Sequence, residues 1–311
     1  MKVFAQSSGK VWRVGFLSPR GEADFRTTDY REQFLTGMRD LGYVEGRNLF
    51  MTYRYGGGNF ALLPKLVREL VEAKIDIIVA AGNQSISAVR DNAPNLPIVI
   101  ASAIDPVGSG FAKSLARPGG NITGLSNLTS EIAAKQLELL VGLAPRRSRV
   151  AFLENPTNSA HAAMRKTLQA AAASSRVALV RAEASTPETV AEAFERMAAG
   201  KVDGVIVAID GFFAGHRREI VALALRHRIA SVFTTSPFVQ AGGLMSYGQN
   251  FGDNYRRAAA FVDKILRGAH PGDLPIEQST KFELVVNRAT AKALGIALPP
   301  DLLLRADTVI E

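Results

Sequence analysis

Apolar and polar positions alternate along this chain in blocks of two kinds. Short runs dense in Val, Ile, Leu and Phe are of strand length: 12–18 (WRVGFLS), 48–55, 75–81 (IDIIVAA), 98–103 and 122–126. Between them lie longer stretches whose apolar residues recur at helical spacing, such as 30–42 and 60–74. In the second stretch Leu63, Leu66, Val67, Leu70 and Val71 fall at intervals of three and four and are expected to face one way. Gly42 and the turn at Gly46 end the first helix. Strand runs that are apolar throughout, alternating with helices, predict an α/β protein with parallel sheets.

The order then repeats. RVGFLSP (13–19) returns as RVAFLENP (149–156), KIDIIVAAG (74–82) as KVDGVIVAID (201–210), and LPIVIASA (96–103) as RIASVFTTS (228–236). This predicts two lobes of one topology rather than one large sheet. Two further strand signals, 243–248 and 282–287, flank a helix at 253–268 and have no evident partner in the first half. The expected division is 12–125 plus 238–276 for one lobe and 126–237 plus 277–311 for the other, with crossings near 124–130, 234–240 and 276–284.

In open parallel sheets, ligands bind beyond the carboxyl ends of the strands. Here those ends read SPRGEADF (18–25), GNQSIS (82–87), IDPVGSG (104–110), ENPTNSAH (154–161), DGFFAGH (210–216) and TTSPF (234–238), all rich in Gly, Asn, Ser, Thr and Asp. Asp105 before Pro106, Asn83 and Asp210 each also suit the N-cap of a helix. The two readings are compatible, because a helix N-terminus aimed at a ligand presents N–H groups to a carboxylate, while Asp105 and Asp210 could hold an ammonium.

Other chemistries find little support. The chain has 311 residues, no cysteine and four histidines, none in a zinc-type pair. The Gly-rich stretch YGGGNF (55–60) lacks the Lys-Ser/Thr of a phosphate loop. No G-x-S-x-G elbow is present, and no strand end gathers Ser, His and an acid. Neither cofactor nor metal is expected. Net charge is +8, but the basic clusters 145–149, 215–219, 225–228 and 255–257 are short and free of interleaved aromatics. They read as solvated helix faces rather than a nucleic-acid surface. No apolar run approaches the ~20 residues of a membrane span. The opening MKVFAQSSGK lacks an apolar signal-peptide core, yet VFAQS resembles the start of a chain cut by signal peptidase. A trimmed exported protein is therefore expected, with a cytoplasmic chain carrying a frayed tail as the alternative.

Four stretches carry a resemblance: DLGYVEGRN (40–48), DPVGSGFAKSLARPGGNITGLS (105–126), 243–287 and TAKALGIALPPDLLLRADTVIE (290–311). The chain resembles, from about Trp12 to its end, the ABC-transporter substrate-binding protein family that includes tryptophan- and tyrosine-type receptors. The resemblance implies a type I periplasmic binding fold, with two Rossmann-like lobes, three hinge crossings and a central cleft that closes. It implies a monomeric periplasmic receptor without catalysis, whose partners are a small solute and the membrane permease of an importer. On the family pattern, the third strand end, often Thr-Pro-Ser in relatives, is Asn83-Gln84-Ser85 here, and Asp105 and Asp210 are kept. A second acid frequent in amino-acid receptors is replaced in the 234–238 loop by Ser236 and Phe238. The site set implied is Ser18, Phe25, Asn83, Gln84, Ser85, Asp105, Asn155, Asp210, Phe212, Ser236, Phe238 and Tyr247. Phe25, Phe212, Phe213 and Phe238 are candidate walls for an aromatic or branched apolar group. The expected solute is an aromatic amino acid or a related carboxylate. A small-molecule hydrolase or a cytoplasmic ligand-sensing domain on the same layout is the competing expectation.

Overall fold

A computed structural model describes residues 10–127, 130–143, 149–158, 160–278 and 281–311. Among the described residues the strands, in chain order, are β1 (Trp12–Ser18), β2 (Leu49–Tyr55), β3 (Ile77–Ala81), β4 (Ile98–Ile104), β5 (Ile122–Asn127), β6 (Arg149–Glu154), β7 (Ala178–Glu183), β8 (Gly204–Val207), β9 (Ala230–Phe233), β10 (Met245–Gln249), β11 (Glu277–Gln278), β12 (Phe282–Asn287) and β13 (Thr308–Ile310). The helices are α1 (Glu22–Thr27), α2 (Tyr30–Asp40), α3 (Leu63–Glu72), α4 (Asn83–Asn92), α5 (Ser130–Gly142), α6 (Ala160–Ser174), α7 (Pro187–Ala199), α8 (Gly211–Gly215), α9 (Arg217–Arg226), α10 (Ser236–Gln240), α11 (Phe251–Leu266), α12 (Arg288–Leu294) and α13 (Pro300–Arg305).

The chain forms two compact units. One comprises residues through Ser126 plus Gly252–Glu277, and the other comprises Asn127–Phe251 plus Gln278–Glu311. The first unit's sheet runs β11-β5-β4-β3-β1-β2, and the second's runs β13-β12-β10-β9-β8-β6-β7. Read from the β2 and β7 edges, both begin with the strand order 2-1-3-4-5 of a doubly wound sheet.

The duplication extends to single hydrogen bonds. Asp76, just before β3, accepts the main-chain N–H of Arg13 at 2.8 Å, and Asp203, just before β8, accepts that of Arg149 at 3.1 Å. Two residues upstream of these aspartates, Lys74 and Lys201 take the same left-handed backbone, with φ of 52° and 51°.

Two expectations are corrected. The segment 238–251 lies in the second unit, not the first, because β10 pairs in parallel with β9 and antiparallel with β12. It is the fifth strand of the second sheet and so the counterpart of β5. Its sequence hides this, since MSYGQ and ITGLSN share no apolar pattern. Consequently the middle passage between units falls at 251–252 and not at 234–240. The other two fall at 126–127 and 277–278. The ranges 124–130 and 276–284, like the basic cluster 145–149, include residues outside those described.

The first unit's core shows why β1 is apolar on both faces. Leu17 joins Leu63, Val67, Leu70, Ile78 and Ile86 on the side of α3 and α4. Phe16, one residue earlier and so on the opposite face, packs against Phe25, Phe34, Tyr53 and Tyr255 at centroid distances of 4.7–6.5 Å. In α3 the buried stripe is Leu63, Val67 and Leu70, while Val71 sits at its margin and is exposed.

Candidate functional site

In the first unit the strand ends are cross-tied around α4. Gly82 precedes the helix with φ 80° and ψ 149°, a conformation that suits glycine. This corrects the expectation that Asn83 is the N-cap. Asn83 is instead the first helical residue, and its carboxamide behaves like a piece of β-ladder. Oδ1 accepts the Ile104 N–H at 2.8 Å, and Nδ2 donates to the Ile104 carbonyl at 2.8 Å and to Ser109 Oγ at 2.9 Å. The end of β3 is thereby fixed to the end of β4.

Ser85, in the first turn, is fully buried and its Oγ has no hydrogen-bond partner among the described residues. Gln84 is half-buried beside it. The main-chain N–H groups of this turn lie outside the helix's own ladder, which opens with Ile86 N–H to Gly82 O.

Asp105 does not cap a helix. It holds a left-handed backbone (φ 42°), is exposed, and accepts the Gly108 N–H through Oδ1 at 2.9 Å. Residues 106–110 form turns in place of the expected helix, closed by Ser109 N–H to Asp105 O and Gly110 N–H to Val107 O. Glycines at 108 and 110 make this tight path accessible.

Ser18 ends β1 buried, its Oγ accepting the N–H of Arg20. Phe25, expected as a ligand wall, has no exposed surface; its ring is enclosed by Phe16, Tyr30, Tyr55 and Tyr255. The aromatic groups nearer the carboxyl end of β2 are Tyr53 and Tyr55, stacked at 6.3 Å, with the Arg31 guanidinium over the Tyr53 ring at 4.2 Å. Burial is the main cause that holds the Tyr53 phenol protonated well above its ordinary range.

In the second unit the strand ends surround a buried carboxylate. Asp210 caps α8 through Oδ1, which accepts the Phe212 N–H at 2.8 Å and the Asn155 Nδ2 at 3.3 Å; Oδ2 accepts the Asn158 Nδ2 at 2.9 Å. His161 lies beneath, with Nε2 3.8 Å from Oδ2. Its tautomer follows from its partners. Nδ1 faces the Asn155 main-chain N–H at 3.0 Å, which can only donate, so Nε2 carries the proton and donates to the Ile209 carbonyl at 3.0 Å. Both ring nitrogens are thus committed to main chain. A charged group so deep in the protein is tolerable because three donors meet it.

Asn155 also accepts the Thr157 N–H and hydroxyl, so each of its side-chain polar atoms is engaged. Phe212 and Phe238, both expected as walls, are buried; Phe212 packs on Phe213 and His216, and Phe238 stacks on Phe233 at 4.4 Å. Ser236 opens α10 half-buried, and Tyr247 stacks half-exposed on Phe282 at 5.9 Å.

The structure therefore gathers Ser18, Asn83, Gln84, Ser85 and Asp105 at strand ends of the first sheet. It gathers Asn155, Asp210, Phe212 and Ser236 at strand ends of the second, while Tyr247 lies within β10. Sequence reasoning missed Asn158 and His161, although both stand in ENPTNSAH. Among the described residues no cluster of three His, Asp or Glu could hold a metal, and no helix is long and apolar enough to cross a membrane.

A family model described as ABC transporter substrate binding protein matches residues 27–310. The chain belongs to that family. A tyrosine-binding protein of Clostridioides difficile is 25% identical over 266 residues, covering 86% of this chain and 76% of the relative. A conserved domain protein from Vibrio cholerae superposes with a TM-score of 0.90 at 27% identity, over 96% of this chain and all of that one. An ABC domain from Streptococcus pneumoniae, solved in complex with L-Trp, superposes with a TM-score of 0.89 at 22% identity, over 97% of this chain and all of that one. The fold is that of type I periplasmic binding proteins, as expected, and the family is one of solute receptors.

Proposed function

We propose that this family member is the extracytoplasmic receptor of an ABC importer and captures an aromatic amino acid or a closely related aromatic carboxylate for a membrane permease. The observation that carries this is the buried, unpartnered hydroxyl of Ser85 in the first turn of α4. A solute carboxylate is suited to meet it. It accepts from the hydroxyl and from first-turn N–H groups, where the helix dipole also favours negative charge. Asn83, tied to β4, holds that turn in place before any solute arrives. The relatives named for tyrosine and crystallised with L-Trp support an aromatic body on the solute.

One observation favours a deaminated variant of the same solute. An α-ammonium calls for a carboxylate, yet Asp210 is enclosed by three donors and the 234–238 loop carries no acid. The exposed Asp105 is the remaining acid among the predicted site residues. A calorimetric and thermal-shift panel of L-Trp, L-Tyr, their 2-oxo and 2-hydroxy acid analogues, branched-chain amino acids and sugars tests the reading. Binding to the native state raises the melting temperature by mass action, about 2.7 kcal/mol at a hundredfold excess over Kd. Shifts with aromatic carboxylates support it; shifts with sugars alone overturn it.

A further inference from the structure

Strands β9 and β10 pair over only two positions, Met245 with Val232 and Ser246 with Phe233. Beyond these the ladder breaks off, leaving a gap in the main-chain pairing although the strands stay close. At Gly248 the β10 backbone runs so close to Thr234 that a Cβ would lie 2.0 Å from its carbonyl oxygen. Thr234–Ser236, which carries one predicted site residue, leaves the sheet at this gap, while Tyr247, which is another, stays paired with Leu284 of β12.

The side chain of Gln136 spans it. Gln136, on α5, is fully buried, and its Nε2 donates to the Tyr247 carbonyl at 2.8 Å, to the Phe233 carbonyl at 3.2 Å and to Thr234 Oγ1 at 3.2 Å. The orientation of the amide is decided by chemistry. Two of the three neighbours are carbonyls, which only accept, so the NH2 group must face them. Oε1 is left buried, with no partner among the described residues. A side chain kept for core filling would be apolar here; this one retains an unsatisfied acceptor in order to bring its donor to the gap.

We infer that Gln136 is a positioning residue for the solute site. From α5 its amide replaces the main-chain ladder where the pairing of β9 with β10 breaks off, and so fixes Thr234–Ser236 and Tyr247 relative to each other. It acts through those segments. The affinity arm of the test rests on the receptor reading above, whereas the exchange arm does not.

Two variants test it, Gln136→Met and Gln136→Glu, with hydrogen exchange by mass spectrometry and with L-Trp and L-Tyr as probes. Gln136→Met keeps the volume and removes the donor. It is expected to fold with unchanged circular dichroism, to exchange at least about tenfold faster over 233–238 and 246–249 while β6 and β8 stay protected, and to bind the probes about tenfold more weakly. Gln136→Glu sets a carboxylate against two carbonyl oxygens and a hydroxyl. Repulsion and burial raise its pKa, so protonation restores one O–H donor. Relative to the wild type at the same pH, its exchange and affinity defects are expected to shrink between pH 8 and pH 5, while those of Gln136→Met do not.

Unchanged exchange in Gln136→Met, or acceleration spread evenly over the sheet, overturns the inference. So does a Gln136→Glu defect insensitive to pH; should that variant fail to fold, Gln136→Met decides alone. A wild type that binds neither probe refutes the aromatic-receptor reading, and the exchange pattern still judges the clamp.

Discussion

The two units share five strands in one order, and even the hydrogen bonds that Asp76 and Asp203 accept from the starts of β1 and β6, yet their strand ends are built on opposite principles. In the first unit the residue that opens α4 beyond β3 is a neutral amide, Asn83, which pairs with a neighbouring strand. Two positions on, Ser85 keeps a buried hydroxyl with no partner. In the second unit the matching residue after β8 is Asp210, a buried carboxylate met by Phe212 N–H, Asn155 and Asn158. The first arrangement leaves capacity for a guest; the second is closed upon itself. A duplicated scaffold thus fixes where polar residues stand, while the residue type decides whether the position serves binding or stability.

The largest expected effect breaks this contrast most directly. Asp210→Ala strands two buried carboxamide donors and one main-chain N–H, at a cost of about 3 kcal/mol. For a unit of this size that is a fall of roughly 6–12 °C in melting temperature. Asn83→Ala removes the pairing with Ile104, and neutral hydrogen bonds of this kind cost about 1–2 kcal/mol. Scanning calorimetry on both variants should therefore show the second unit losing about twice as much. Equal losses, or a larger loss for Asn83→Ala, would mean that the carboxylate network is not the stabilising centre.

Ser85→Ala is the complementary experiment. No protein hydrogen bond is lost, so the unfolding free energy should stay within about 0.5 kcal/mol of the wild type, the range of silent substitutions. Affinity for an aromatic carboxylate should fall about tenfold or more, since hydrogen bonds to charged groups contribute about 1.5–3 kcal/mol. A stable variant with undiminished affinity would remove Ser85 from the site. A marked loss of stability would show that the hydroxyl already has a partner within the fold.

These residues also mark how far the sequence could be read. Repeats of whole strands were visible, because buried parallel strands are apolar throughout and 149–156 copies 13–19 almost residue for residue. The fifth strand of the second sheet was not, because β10 contains Ser246, Gly248 and Gln249 and holds its place through β12 and Gln136 as much as through its own apolar residues. Strand-end positions were legible from topology alone, but their chemistry was not. Asn83 and Asp210 both read as caps, and only three-dimensional partners reveal one as a ladder mimic and the other as a closed network. The phenylalanines read as walls because composition cannot say which face of a strand end a ring will take; Phe25 and Phe238 found aromatic neighbours inside.

The smallest predicted effect tests the strand that lies beside β10 in the second sheet, the antiparallel β12. Glu283 stands opposite Gly248 in its register, half-buried. Burial first, and the nearby charge of Asp307 second, raise its carboxyl pKa above the ordinary glutamate value. The ionised form is therefore disfavoured in the folded state. The stability tied to the protonated carboxyl is fully present below the unfolded pKa of about 4.3 and is lost as pH rises through the higher folded value. A glutamine at this position would carry no charge at any pH. Glu283→Gln should accordingly match the wild type near pH 4 and exceed it near pH 7.5, by on the order of half a kcal/mol once solvent screening of this partly exposed group is allowed for. Chemical denaturation of both proteins at the two pH values measures the difference. A gain that is the same at both, or greater at pH 4, would show that β12 is held by the Glu283 side chain's other contacts rather than strained by its charge.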